Sequence, residues 1–130
     1  MNSFTVPSIF SVILLAGSLQ AAETMTELVP VLVGGEAKLD ACSSTGTVSG
    51  LKPVPGNFLS VRTGPGVGYA RTDKLYPGDR VWLCDRKDGW AGVVYGDGCR
   101  VATPIPERGP YSGPCRSGWV SETFLELEAG

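Results

Sequence analysis

Hydrophobic and polar residues alternate most clearly over Arg80 to Asp85. Val81 and Leu83 fall on one face there, and Trp82 and Cys84 on the other, which is the period-two pattern of a strand. A second strand is predicted from Trp90 to Tyr95, with Ala91, Val93 and Tyr95 sharing a face. Between the two, Asp88-Gly89 is a hairpin signal, because this pair adopts the positive φ values that tight hairpin turns demand. Upstream, Thr47 to Leu51 and Phe58 to Arg62 read as short strands, joined by Lys52-Pro-Val-Pro-Gly-Asn57. Thr63 to Gly68 is a glycine-rich loop, and Pro77-Gly78 marks a turn. A long excursion from Gly96 to Ser117 carries Pro104, Pro106, Pro110 and Pro114. The chain then closes with the strand-like Gly118-Trp119-Val120, and Ser121 can cap one short turn before Phe124-Leu125. Eighteen glycines and ten prolines punctuate this pattern, as expected of a turn-dense all-β chain.

The start of the chain has a different character. Residues 1–22 contain no charged side chain, and the apolar run Ser8 to Leu19 ends in small residues. This pattern predicts a secretory signal peptide cleaved at Ala21 or Ala22. The run is shorter than the roughly 20 apolar residues of a spanning helix, and an N-terminal membrane anchor is the alternative. Leu15-Ala16-Gly17 resembles the start of a lipoprotein box, but Ser18 stands where that box requires cysteine. Residues 23–41 form a lead-in, broken by Pro30 and Gly34-Gly35, that suits a flexible linker or an edge strand. Residues 42–130 are the expected single domain.

Composition narrows the chemistry. The net charge of -2 leaves no electrostatic footprint for nucleic acid, and beyond the signal peptide no membrane contact is expected. The chain has no histidine, so the commonest general base and metal ligand is missing. Cys42, Cys84, Cys99 and Cys115 include no pair at metal-binding C-x-x-C spacing. An even cysteine count in a small exported chain predicts two disulfides and an oxidising compartment. No metal or cofactor is expected.

The order of the pieces resembles the bacterial SH3 (SH3b) family. The residues that carry the likeness are Leu59-Ser60-Val61-Arg62-Thr63-Gly64-Pro65-Gly66 with Tyr69, then Leu75, Pro77-Gly78, Val81 and Leu83. Gly89-Trp90, Gly118-Trp119-Val120 and Phe124-Leu125 complete it. The resemblance covers roughly Thr47 to Leu127 and implies an SH3-like barrel. One departure is plain: the connection between the strands at Trp90 and Trp119, normally a short hairpin, is here a long insert bracketed by Cys99 and Cys115. Joining that pair closes a loop whose ends meet at neighbouring strands. The expected disulfides are therefore Cys99–Cys115 and Cys42–Cys84, the second pinning the lead-in to the strand at Val81 to Leu83.

Several catalytic patterns lack a necessary part or context. Gly64 to Gly68 lacks the following helix and the Gly-Lys-Ser/Thr ending of a phosphate loop. A cysteine nucleophile has no histidine to activate it. Asp85 with Asp88, or Glu107, Glu122 and Glu126, read as turn or solvated acids rather than a glycosidase pair. Aromatics offer more. Trp90 and Trp119 begin adjacent strands and are expected to flank a ligand groove with Tyr69, with Tyr111 of the insert as one wall. Arg62, beside the glycine loop, joins them as a candidate ligand contact. The expected function is an exported, monomeric, non-catalytic module binding cell-wall peptide or a periplasmic protein. Two alternatives stand beside it: an interaction or inhibitor protein acting through the proline-rich insert, and a small cell-wall hydrolase.

Overall fold

The computed structural model describes Ser3 and residues 27–128. Apart from Ser3, the expected signal peptide lies outside the described residues, as does its cleavage point. Nine strands are present among the described residues: β1 (Leu32–Val33), β2 (Ser44–Val48), β3 (Leu59–Arg62), β4 (Arg71–Leu75), β5 (Arg80–Lys87), β6 (Trp90–Tyr95), β7 (Gly109–Pro110), β8 (Arg116–Ser121) and β9 (Leu125–Glu128). A 3-10 turn, Glu122–Phe124, links β8 to β9. Among the described residues no helix is long and apolar enough to cross a membrane. Among the described residues the fold is all-β, with every strand pair antiparallel.

Seven strands form one sheet in the order β4-β3-β8-β6-β5-β2-β9, and β1 and β7 form a separate pair. The edge strands β4 and β9 do not bond to each other, so the sheet is open and not the closed barrel expected from the sequence. The β5–β6 hairpin turns at Asp88-Gly89 as expected. Both residues have positive φ, 50° and 83°, which matches the right-handed twist of the flanking strands. The Pro77-Gly78 turn is closed by the Asp79 amide donating to the Tyr76 carbonyl at 2.9 Å.

Alternation sorts the side chains onto two faces, and each face carries a buried cluster. On the inner face Val48, Leu59, Val61, Leu75, Val81, Ala91, Val93 and Val120 form the main core. Six strands contribute to it, and fully burying one such valine contributes about 1.5–3 kcal/mol. On the outer face Val33, Cys42, Val94, Cys99 and Val101 form a second core, packed with Trp82, Ile105 and Tyr111. Thus Val81 and Leu83 point inward, and Trp82 points outward into cover supplied by the lead-in and the insert.

The lead-in is therefore more than a linker. Val31 and Val33 are each 3% exposed, and β1 pairs with β7 of the insert. Backbone bonds extend this union: Gly35 donates to Ile105 at 2.9 Å, Ala41 to Thr103 at 2.9 Å and Cys42 to Val101 at 3.1 Å. Both expected disulfides are present, Cys42–Cys84 and Cys99–Cys115. The first fixes the end of the lead-in to β5, and the second closes the insert. Two disulfides fit an oxidising compartment.

Candidate functional site

The register of β6 against β8 decides the fate of the two tryptophans. Gly92 faces Trp119 and Trp90 faces Ser121, so both indoles stand on the outer face. Trp119 is 2% exposed. Its Nε1 donates to the Val29 carbonyl at 2.8 Å, and the Val29 amide donates to the Thr63 carbonyl at 2.8 Å. The lead-in thus crosses the outer face over Trp119 and seals it. Trp119 packs in the interior and does not flank a groove, contrary to the expectation from its position in the sequence.

Two residues away along the face the cover ends, and Trp90 is only half-buried. A groove of about 520 Å³ opens there. Ser60 and Arg62 of β3 line it, together with Trp90, Ser121, Phe58, Phe124 and the loop residues Lys52 and Val67. Ser60 and Arg62 reach the outer face because their neighbours Leu59 and Val61 are committed to the main core. Phe58, one step before the strand, continues the same alternation. Phe124 comes from the 3-10 turn and packs partly on the main core. Three aromatic residues thus share one groove lining with the polar Ser60, Ser121 and Arg62.

Arg62 is held in place by its own loop. Its Nη1 donates to the Tyr69 carbonyl at 2.9 Å. The Tyr69 ring lies against Gly64, where any Cβ would collide with it, and against Gly66. The glycine loop is thus shaped to fold over an internal tyrosine; the close backbone approach that the glycines permit is made to Tyr69 rather than to a ligand. Tyr69 does not line the groove, though it positions Arg62 at its border.

Tyr111 lies elsewhere. Its hydroxyl donates to the Cys99 carbonyl at 2.8 Å and accepts from the Cys115 amide at 3.0 Å. Both polar functions are used inside the insert, bracing the ends of the disulfide loop. Of the five expected ligand residues, the groove brings together Trp90 and Arg62. It adds Phe58 and Phe124, which were not among the expected contacts. Phe58 carried a signal: it is in phase with Ser60 and Arg62 and out of phase with Leu59 and Val61.

A second depression, of about 620 Å³, lies between β5 and β9 and includes Asp85, Arg86, Arg108, Glu122 and Glu128. Its charged side chains are all paired. Arg86 Nη2 donates to Glu122 at 2.9 Å, Arg108 pairs with Asp85 at 3.2 Å, and Glu128 pairs with Arg80 at 2.7 Å. Asp85 also accepts the Leu32 amide at 3.1 Å, so this carboxylate fastens the lead-in. By contrast, among the described residues neither Arg62 nor Lys52 in the Trp90 groove has a carboxylate partner. The described residues hold no group of three or more candidate metal ligands. No family model, curated protein or solved structure matches this chain.

Proposed function

We propose that this chain is an exported, non-catalytic binding module of bacterial SH3 type, working in the periplasm or outside the cell as a monomer. Its ligand is an extended peptide, from the cell wall or from a protein partner, held in the groove at Trp90. One observation carries the reading: the lead-in and insert cover much of the outer face of the sheet, yet at one end Phe58, Trp90 and Arg62 line an open groove, which Phe124 of the 3-10 turn completes. Rigid aromatics beside polar groups are the usual anchors of peptide recognition. The ordered run from Leu59 through Trp119 supports the SH3b assignment, and the paired cysteines support export. The insert is the weaker candidate for partner binding, because Val101, Ile105 and Tyr111 turn into the second core.

Binding of the purified protein to isolated cell wall and to synthetic peptides, with Trp90→Ala alongside, tests this. A variant that melts near the parent temperature but no longer binds supports the groove. Unchanged binding by that variant refutes it.

A further inference from the structure

The outer surface of β3 and β4 concentrates positive charge in a chain whose net charge is negative. Ser60 faces Lys74, and Arg62 faces Arg71 across a register shift. The Arg71 guanidinium lies 5.0 Å and the Lys74 ammonium 4.5 Å from the centroid of the Phe58 ring. Phe58 is at once a wall of the groove and the seat of two cations. Lys52 stands at the rim and Arg62 at the border. Among the described residues none of these four cations pairs with a carboxylate.

The carboxylate on the same strand borders an edge depression with Arg71 and Lys74 but is already engaged by other groups. Asp73 faces Val61 and is engaged by the Tyr95 hydroxyl at 2.8 Å and by Arg116 at 3.0 Å. Glu122, near the opposite end of the groove, is taken by Arg86. The patch is thus four like charges: Lys52 and Arg62 in the lining of the groove, and Arg71 and Lys74 over its Phe58 wall, with the local acids occupied by other groups. Unscreened like charges repel and destabilise a folded surface, and an opposing ligand charge removes that repulsion.

We infer that the groove takes an acidic extended segment of a protein partner, with carboxylates over Arg71, Lys74 and Arg62 and one apolar side chain against Trp90. This rests on the proposed groove and adds the chemical class of its ligand. The charge arrangement favours acidic side chains at alternate positions, since an extended segment presents every second residue to the same surface.

The test uses three synthetic peptides alternating leucine with glutamate, glutamine or lysine, titrated at low and high salt. A purified cell-wall fragment and a single-stranded oligonucleotide serve as further probes. The proteins are the parent, Arg71→Gln/Lys74→Gln and Trp90→Ala, each checked for unchanged melting. The glutamate peptide is expected to bind tightest, to weaken with salt and to lose about tenfold in affinity in the double variant. If the glutamine peptide binds as well as the glutamate one, and Trp90→Ala weakens both, the charge inference falls and the groove stands. If Trp90→Ala changes nothing, both fall. Tighter binding of the oligonucleotide makes the patch a general polyanion surface. Tighter, salt-independent binding of the cell-wall fragment also overturns the acidic segment while keeping the groove.

Discussion

The indole Nε1 of Trp119 donates to the carbonyl oxygen of Val29 at 2.8 Å. This bond joins β8 to the lead-in and closes the outer face over Trp119. The end at Trp90 stays open. The location of the candidate site therefore depends on where the lead-in stops covering the sheet.

Trp119 is accordingly expected to report on stability rather than recognition. Trp119→Phe removes the bond to Val29 and leaves part of the indole volume empty, and should cost about 1–3 kcal/mol. Trp119→Ala should cost about 3–5 kcal/mol, because it leaves a cavity under the lead-in. Denaturant titration measures both. Folded Trp119→Phe should bind ligand as the parent does.

The disulfides should contribute unequally. Cys99 and Cys115 are separated by 16 positions, and Cys42 and Cys84 by 42. Chain-entropy reasoning assigns about 3 kcal/mol to the shorter loop and about 4 kcal/mol to the longer. Paired serine substitutions, compared by denaturant midpoint, give the difference. Loss of Cys42–Cys84 should also expose Trp119 to fluorescence quenchers, since it loosens the lead-in from β5.

Glycine at position 64 is required by the ring of Tyr69. Gly64→Ala should destabilise by about 1–3 kcal/mol through overpacking. Tyr69→Ala in the same chain should relieve part of that cost, giving a favourable coupling in a double-mutant cycle. Simple addition of the two effects would show that the ring and the loop do not compete for space.

Acid and alkali should each weaken the link between β4 and β6. Burial raises the Asp73 pKa, but the Tyr95 hydroxyl, the Lys74 amide and Arg116 outweigh it and hold the carboxyl below its ordinary 3.8. Its folded value is thus lower than its unfolded one. The associated stability is complete above the unfolded value and is lost as pH falls through the folded one. Burial, and then the Asp73 hydrogen bond, push the Tyr95 phenol well above its ordinary 10.0. Its contribution is complete below that ordinary value and fades at more alkaline pH. Tyr95→Phe should flatten the stability profile below about pH 4, as followed by thermal melting across pH.

Much of the frame was legible where local chemistry speaks alone. Asp88-Gly89 identified its hairpin because few other residues hold two successive positive φ values. The alternation of Val81 and Leu83 with Trp82 and Cys84 assigned the faces of β5 correctly. Strand β4 was missed because Arg71–Leu75 is an edge with a single buried residue, Leu75, so no apolar rhythm marks it. The lead-in left an edge strand and a linker open because β1 has only two residues and its partner lies in the distant insert. Trp90 and Trp119 look equivalent in sequence; they differ only through the path of Val29 to Val31, a non-local feature. Tyr111 likewise reads as an exposed insert aromatic until its hydroxyl is found between Cys99 and Cys115.

The most direct test of the groove uses the tryptophan indole N–H signals in a nuclear magnetic resonance titration with the leucine–glutamate peptide. The Trp90 signal should shift with added peptide, together with the amides of Ser60, Arg62 and Ser121, while the Trp119 signal, held by Val29, stays in place. A moving Trp119 signal beside a still Trp90, or shifts confined to the insert between Cys99 and Cys115, would contradict the assignment of the site.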